Sequence, residues 1–189
     1  MNVMNIGIVS ARYSQALLKY VTETGNGPQV YSQVRQLEKC LSSLDDMKTI
    51  IYHPKATSDK LKYDVLMTAL GGEDKAADEL KRFLKLVMKN RRTKFLHLML
   101  LIFMDEYRHA NNISLGHLVM AVPSEALKRK LTDIVHDETG GTLELETRID
   151  PSLIGGFVFD MEWTRLDASV KSQLNSIRRQ FIEKNRRIV

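Results

Sequence analysis

The chain has 189 residues, 43% hydrophobic and 27% charged, which is the profile of an ordinary soluble globular protein with a sizeable core in one domain or two small ones. A single cysteine, Cys40, excludes an internal disulfide and points to a reducing compartment. The net charge of +5 lies in residues 1–108, with 17 Lys/Arg against 12 Asp/Glu, while residues 109–189 balance at 11 against 11; so modest an excess is the expectation for a solvated surface, and a nucleic-acid partner is the rival.

The first twenty residues have no basic segment ahead of an apolar run, and Ser10 and Arg12 interrupt the apolar pattern, so neither a secretion signal nor an import leader is expected. Ile6, Val9, Tyr13, Ala16, Leu17, Tyr20 and Val21 recur at three- and four-residue spacing and predict a first helix, broken by Gly25, Gly27 and Pro28. A second helix is expected from 29 to 44, with Val30, Val34, Leu37, Leu41 and Leu44 inward and Cys40 a small core residue among them. A short piece over 45–51 ends at His53-Pro54. Ser58 suits the N-cap of a fourth helix carrying Leu61, Val65, Leu66 and Ala69, stopped by Gly71-Gly72. Leu80, Phe83, Leu84, Val87 and Met88 make a fifth over 74–90. The apolar run Phe95–Met104 opens a sixth, extending to about Ala110; it is half the length of a bilayer span and reads as buried core.

Character changes after His109. Residues 111–117 read as a linker, 117–123 as a strand closed by Pro123, and Ser124 as the cap of a helix ending near Gly140-Gly141. Leu143, Leu145, Thr147 and Ile149 alternate with Glu144, Glu146 and Arg148, the period of a half-buried strand. A further strand covers 156–163, and 167–188 form a final helix with Val170, Leu174, Ile177 and Phe181 as its stripe. The expected fold class is α+β: an N-terminal six-helix bundle (1–110), a linker (111–117) and a small α/β domain (118–189).

No catalytic constellation emerges. Three glycine pairs lack the spacing of a phosphate loop or a dinucleotide fingerprint. The five histidines show no metal-ligand spacing, and one cysteine cannot build a thiolate zinc site. Adjacent acidic pairs fall at helix ends or on polar faces, and no serine has a nucleophile-elbow context. No cofactor and no metal are therefore expected. Gly155-Gly156 opens a strand, where glycine permits positive φ or close backbone approach. Asp167 is expected to cap the final helix by accepting from the amides of Ser169 and Val170.

At this point "GGFVFDMEWTRLDASVKSQL" resembles the C-terminal signature of the delta subunit family of F-type ATP synthase, whose mitochondrial homologue is the oligomycin-sensitivity-conferral protein. Gly155, Gly156, Val158, Leu166, Asp167, Ser169, Val170 and Leu174 match. "ARYSQALLKY" is similar to the family's first helix, with Arg12, Tyr13, Ala16 and Leu17 in place, and "MKNRR" stands where the family has Asn and Arg after its fifth helix. Glu162 and Trp163 replace a usual Gly-Asp, Arg165 an apolar residue, and Ala168 a glycine.

The resemblance implies a non-enzymatic stator subunit, one copy per complex, which links the catalytic head to the peripheral stalk and resists rotor torque during proton-driven ATP synthesis. It implies α-subunit N-terminal helices bound between the first and fifth helices, at Tyr13, Ala16, Leu17, Tyr20, Phe83, Leu86, Val87 and Asn90, with Tyr13 and Leu86 shared most directly. It implies b subunits at the C-terminal domain, where Arg178, Arg179, Arg186 and Arg187 are candidates, and a structural role for Gly155, Gly156, Asp167 and Ser169. The expected place is the cytoplasmic face of a bacterial inner membrane, reached only through the complex. The rival is a basic helical RNA-binding or transcription-associated module. Against it, aromatics are few (7%) and no RNA-binding motif appears.

Overall fold

The computed structural model describes residues 3–52, 58–162 and 164–186; His53, Pro54, Trp163 and Arg187, which figure in the sequence reading, lie outside them. The chain divides into two units, Met1–Arg108 and His109–Val189. The fold is α+β, with a helical N-terminal region and a C-terminal α/β part.

In the helical unit α1 (Val3–Thr24) buries a line of Ser10, Ser14, Leu17 and Val21, at steps of four, three and four. This corrects the expected stripe: Ile6, Val9, Tyr13 and Tyr20 are only half-buried and Ala16 is exposed. At Ser14 the cause is α6 (Leu96–Ala110), whose Met99 carbonyl comes against the small side chain. The Ser14 hydroxyl lies 2.6 Å from the Met99 carbonyl and 3.0 Å from that of Ser10 in its own helix. A larger side chain at 14 would hold α6 away.

Helix α2 (Gly27–Ser43) starts with Pro28 in its first turn, where a missing amide costs nothing, and buries Val30, Val34, Leu37 and Leu41. Leu44 is exposed, not inward, because the chain turns extended at that C-cap; Cys40 is half-buried. The polar side of α2 holds its neighbours' ends. Gln36 Nε2 donates to the Ala69 carbonyl, and Gln33 donates to the Lys75 carbonyl while its Oε1 accepts from the Ala77 amide. That clamp explains why α5 (Asp78–Lys89) begins four residues later than its apolar pattern suggested. Helix α3 spans Asp45–Tyr52. Helix α4 (Asp59–Ala69) is capped by Ser58, which accepts from the Leu61 amide. Its inward line runs through Lys62, Leu66, Met67 and Leu70, leaving Leu61 exposed. Lys62 takes its buried place by the aliphatic length of its stem. A 3-10 turn, Thr93–Phe95, leads into α6.

The second unit is a four-stranded sheet ordered β2-β1-β3-β4. Strand β1 (Ile113–Met120) pairs parallel with β2 (Thr142–Ile149) through the crossover helix α7 (Glu125–Thr139), and antiparallel with β3 (Phe157–Met161). The core joins Leu118, Met120, Leu143 and Phe159 of the sheet to Leu131 and Val135 of α7. Gly116 permits this closeness: a β-carbon there would meet the Phe159 ring at 2.7 Å.

Three expectations change here. Residues 113–117 are strand, not linker; only Asn111 and Asn112 separate α6 from β1. The alternation in β2 buries Leu143 and half-buries Leu145, but Thr147 and Ile149 are exposed, since β2 is an edge strand that outruns its cover. Residues Thr164–Asp167 form a fourth strand, β4, antiparallel to β3, with Glu162 at positive φ in the hairpin. The final helix, α8, runs Val170–Arg186. No helix among the described residues is long and apolar enough to cross a membrane.

Candidate functional site

Helices α1 and α5 pack side by side, and the line between them has a floor and two lips. The floor is Leu17 (2% exposed), Phe83 (6%) and Val87 (1%). Tyr13 stands over it edge-on to Phe83, with ring centroids 6.5 Å apart. Two polar rungs cross the line. Asn90 Nδ2 donates to the Tyr13 hydroxyl at 2.7 Å, and Arg82 Nη1 donates to the Tyr20 hydroxyl at 2.8 Å. The later α1 residue meets the earlier α5 residue, so the helices run antiparallel here. Tyr13 and Tyr20 are two turns apart, about 10 Å along the axis. Between the rungs Leu86 is 47% exposed and Ala16 is exposed beside it, so an apolar window opens onto the buried floor.

Of the eight residues expected here, Leu17, Phe83 and Val87 are core, while Tyr13, Ala16, Tyr20, Leu86 and Asn90 form the rim. Two rim residues escaped the sequence reading. Arg82 makes one rung, and Arg92 places its guanidinium carbon 5.3 Å from the Tyr13 ring centroid. Arg82 could have been found from its place one turn before Leu86; Arg92 lies in the "MKNRR" stretch that carries the family resemblance, but its position over Tyr13 is not readable from it. At the start of α5 Glu79 is held low in pKa by hydrogen bonding to its own amide against the opposing effect of burial, and Asn26 Nδ2 donates to it at 3.1 Å.

In the second unit the glycine pair meets the root of α8. Gly156 has φ +76°, and a β-carbon there would fall 2.1 Å from the Ala168 carbonyl oxygen. The Gly155 carbonyl accepts from the Val170 amide. The expected cap is therefore corrected. Val170 donates to Gly155, and the capping residue is Ser169, whose Oγ accepts from the Ser172 amide at 3.2 Å. Asp167 ends β4 and braces that cap. Its Oδ1 accepts from the Ser169 amide and hydroxyl (3.0 and 2.7 Å), and its Oδ2 from the Ser172 hydroxyl at 2.6 Å. These bonds, that of Ser172 foremost, hold the Asp167 carboxyl at about 2.

Beyond its first turn α8 leaves Leu174, Ile177, Phe181 (64%) and Ile182 exposed. Arg178 and Arg179 are exposed on the same helix; Arg186 lies at its end with its side chain undescribed. Among the described residues no group of three or more His, Cys, Asp or Glu could hold a metal ion. Two histidines each face one carboxylate, His117 that of Glu146 at 3.2 Å and His97 that of Glu38 at 3.3 Å. The described residues thus leave an apolar window between α1 and α5 and an apolar ridge along α8.

Residues 9–181 match the family model described as the ATP synthase delta (OSCP) subunit. The chain belongs to that family. It is 40% identical to the ATP synthase subunit delta of Phocaeicola vulgatus over 187 residues, covering 98% of this chain and all of the relative. It is 37% identical to that of Bacteroides fragilis, with the same coverage. Among solved structures, a chain of the Toxoplasma gondii mitochondrial ATP synthase hexamer shares the fold with a TM-score of 0.64 at 20% identity, over 92% of this chain and 97% of that one. As a delta-family member this chain is a non-catalytic stator subunit of ATP synthase, and the rival nucleic-acid reading gains no support from its relatives.

Proposed function

We propose that the cleft between α1 and α5 receives an N-terminal helix of an ATP synthase α subunit, and that α8 meets the b-subunit stalk. The exposed window of Ala16 and Leu86 above a closed apolar floor carries the first part, because an amphipathic helix binds where an apolar strip remains after the core is filled. For the stalk contact the apolar ridge of Leu174, Ile177 and Phe181 supports the reading better than the arginine cluster first considered. Solvated arginines lose little by staying in water, whereas an exposed row of large apolar side chains gains by being covered.

In this reading the six helices of the first unit act as one bundle on the head, and the second unit serves the stalk. Their division falls at Arg108/His109 rather than in a linker over 111–117. The protein works as one copy per complex, binds no nucleic acid and reaches the cytoplasmic face of the membrane only through its partners. The test is recovery of α and b subunits from detergent-solubilised membranes by the tagged chain. Leu86→Glu is expected to cut α recovery at least tenfold and spare b, and Phe181→Glu to do the reverse. Undiminished α recovery with Leu86→Glu would overturn the cleft assignment.

A further inference from the structure

We propose that the helix seated between α1 and α5 carries two carboxylates about seven residues apart, each accepting a hydrogen bond from one tyrosine hydroxyl, at Tyr13 and Tyr20. The proposal rests on the helix-in-cleft reading above and adds the chemistry of the occupant.

A phenol hydroxyl offers one donor and accepts besides. In both rungs it accepts, from Asn90 and from Arg82, and among the described residues neither hydroxyl donates to anything. Two O–H donors are thus left over at the rim, two helical turns apart on one face of α1. A helix lying along the cleft presents its positions i and i+7 at the same spacing, about 10 Å. Its backbone carbonyls are spent within its own turns, so the acceptors have to be side chains.

Charge decides which side chains. The Arg82 guanidinium is bonded to one hydroxyl, and that of Arg92 lies over the ring bearing the other. Lys85 and Lys89 are exposed on the next faces of α5. The acids at the start of α5 are already engaged, Asp78 by Lys81 at 2.7 Å and Glu79 by Asn26. Asp78, which Arg82 and Lys85 also attract, is bonded to Lys81, so each leftover donor sits beside a cation, a setting that favours a carboxylate over an amide or a hydroxyl. Ala16 and Leu86 lie between the rungs, so the occupant's apolar residue falls midway between its two acids, at i+3 or i+4.

The experiment uses the full-length chain and a labelled peptide of about 25 residues, roughly seven turns, taken from the N-terminus of the α subunit of the same complex. It is made in native form and with every Asp and Glu replaced by Asn and Gln. Fluorescence anisotropy is expected to show the neutralised peptide binding at least about tenfold more weakly at low salt, with the gap narrowing as salt rises. Tyr13→Phe and Tyr20→Phe should each weaken the native peptide about threefold or more and the neutralised one distinctly less, since its amide oxygens are weaker acceptors. Equal binding of the two peptides, or equal losses with both from the tyrosine variants, would overturn the proposal while the cleft reading stood. The cleft reading has its own control. Ala16→Trp, at an exposed position, fills the window and should abolish binding of the native peptide. If it does not, or if the native peptide fails to bind the wild-type chain, the site itself is wrong and the proposal falls with it.

Discussion

Leu17 in α1 and Leu174 in α8 belong to apolar stripes of the same helical spacing, yet one is 2% exposed and the other 51%. On α1 the stripe is divided. Its centre is consumed by neighbouring helices, and its edge, Tyr13, Ala16 and Tyr20, becomes the lip of a cleft. On α8 only the first turn is tied to the sheet, and the rest of the stripe stands as a ridge. Amphipathic spacing thus reports that a face needs cover; it does not report whether the cover lies in the same chain. Under the proposed function the two regions dock in opposite modes, one accepting a helix and the other offering one.

Four substitutions sharpen the contrast, each read by denaturant unfolding of the full chain. Gly156→Ala should have the largest effect, a loss of about 4 kcal/mol, because its β-carbon meets the Ala168 carbonyl at 2.1 Å and its φ is +76°. A loss below about 1 kcal/mol would show that the root of α8 is looser than described. Leu17→Ala should cost about 3 kcal/mol as a cavity in a closed core, whereas Leu174→Ala, the same change on the ridge, should stay within about 0.5 kcal/mol. Equal costs would erase the distinction between floor and ridge. Ser14→Ala should cost about 1 kcal/mol through the bond to Met99.

A separate effect is confined to acid. The folded Asp167 carboxyl sits at about 2 against an ordinary value of 3.8, so its contribution is full above the higher value and is lost as pH falls from about 4 towards 2. Wild-type stability should therefore drop more steeply across that window than that of Asp167→Asn, with a constant difference above pH 5. Parallel curves throughout would show that Asp167 does not brace the cap.

Much of this was legible in the residues. Inward lines of Leu and Val placed α2, α5 and α6, and serines placed the caps of α4 and α7. What escaped was carried by groups that hydrophobic spacing does not weigh. Ser14 is fully buried because smallness, not hydrophobicity, lets α6 approach. Strand β4 has four exposed residues and so no alternation to read. The start of β1 reads as a linker because its order comes from backbone pairing, with β2 from Ile113 and with β3 only from Gly116, which leaves little trace in side-chain polarity. At the cleft the apolar floor was visible in the pattern. The rungs were not, since Arg82 and Tyr20 are 62 positions apart and Asn90 and Tyr13 are 77.

The bond from Ser14 to Met99 spans 85 positions. A ribosome adding about 5–20 residues per second completes α1 several seconds before it has made the carbonyl that Ser14 will meet. Through that interval the serine face of α1 has its own helix and solvent for company. Any growing chain released before Met99 keeps that face open, as a handle for chaperones and proteases that the finished subunit no longer shows.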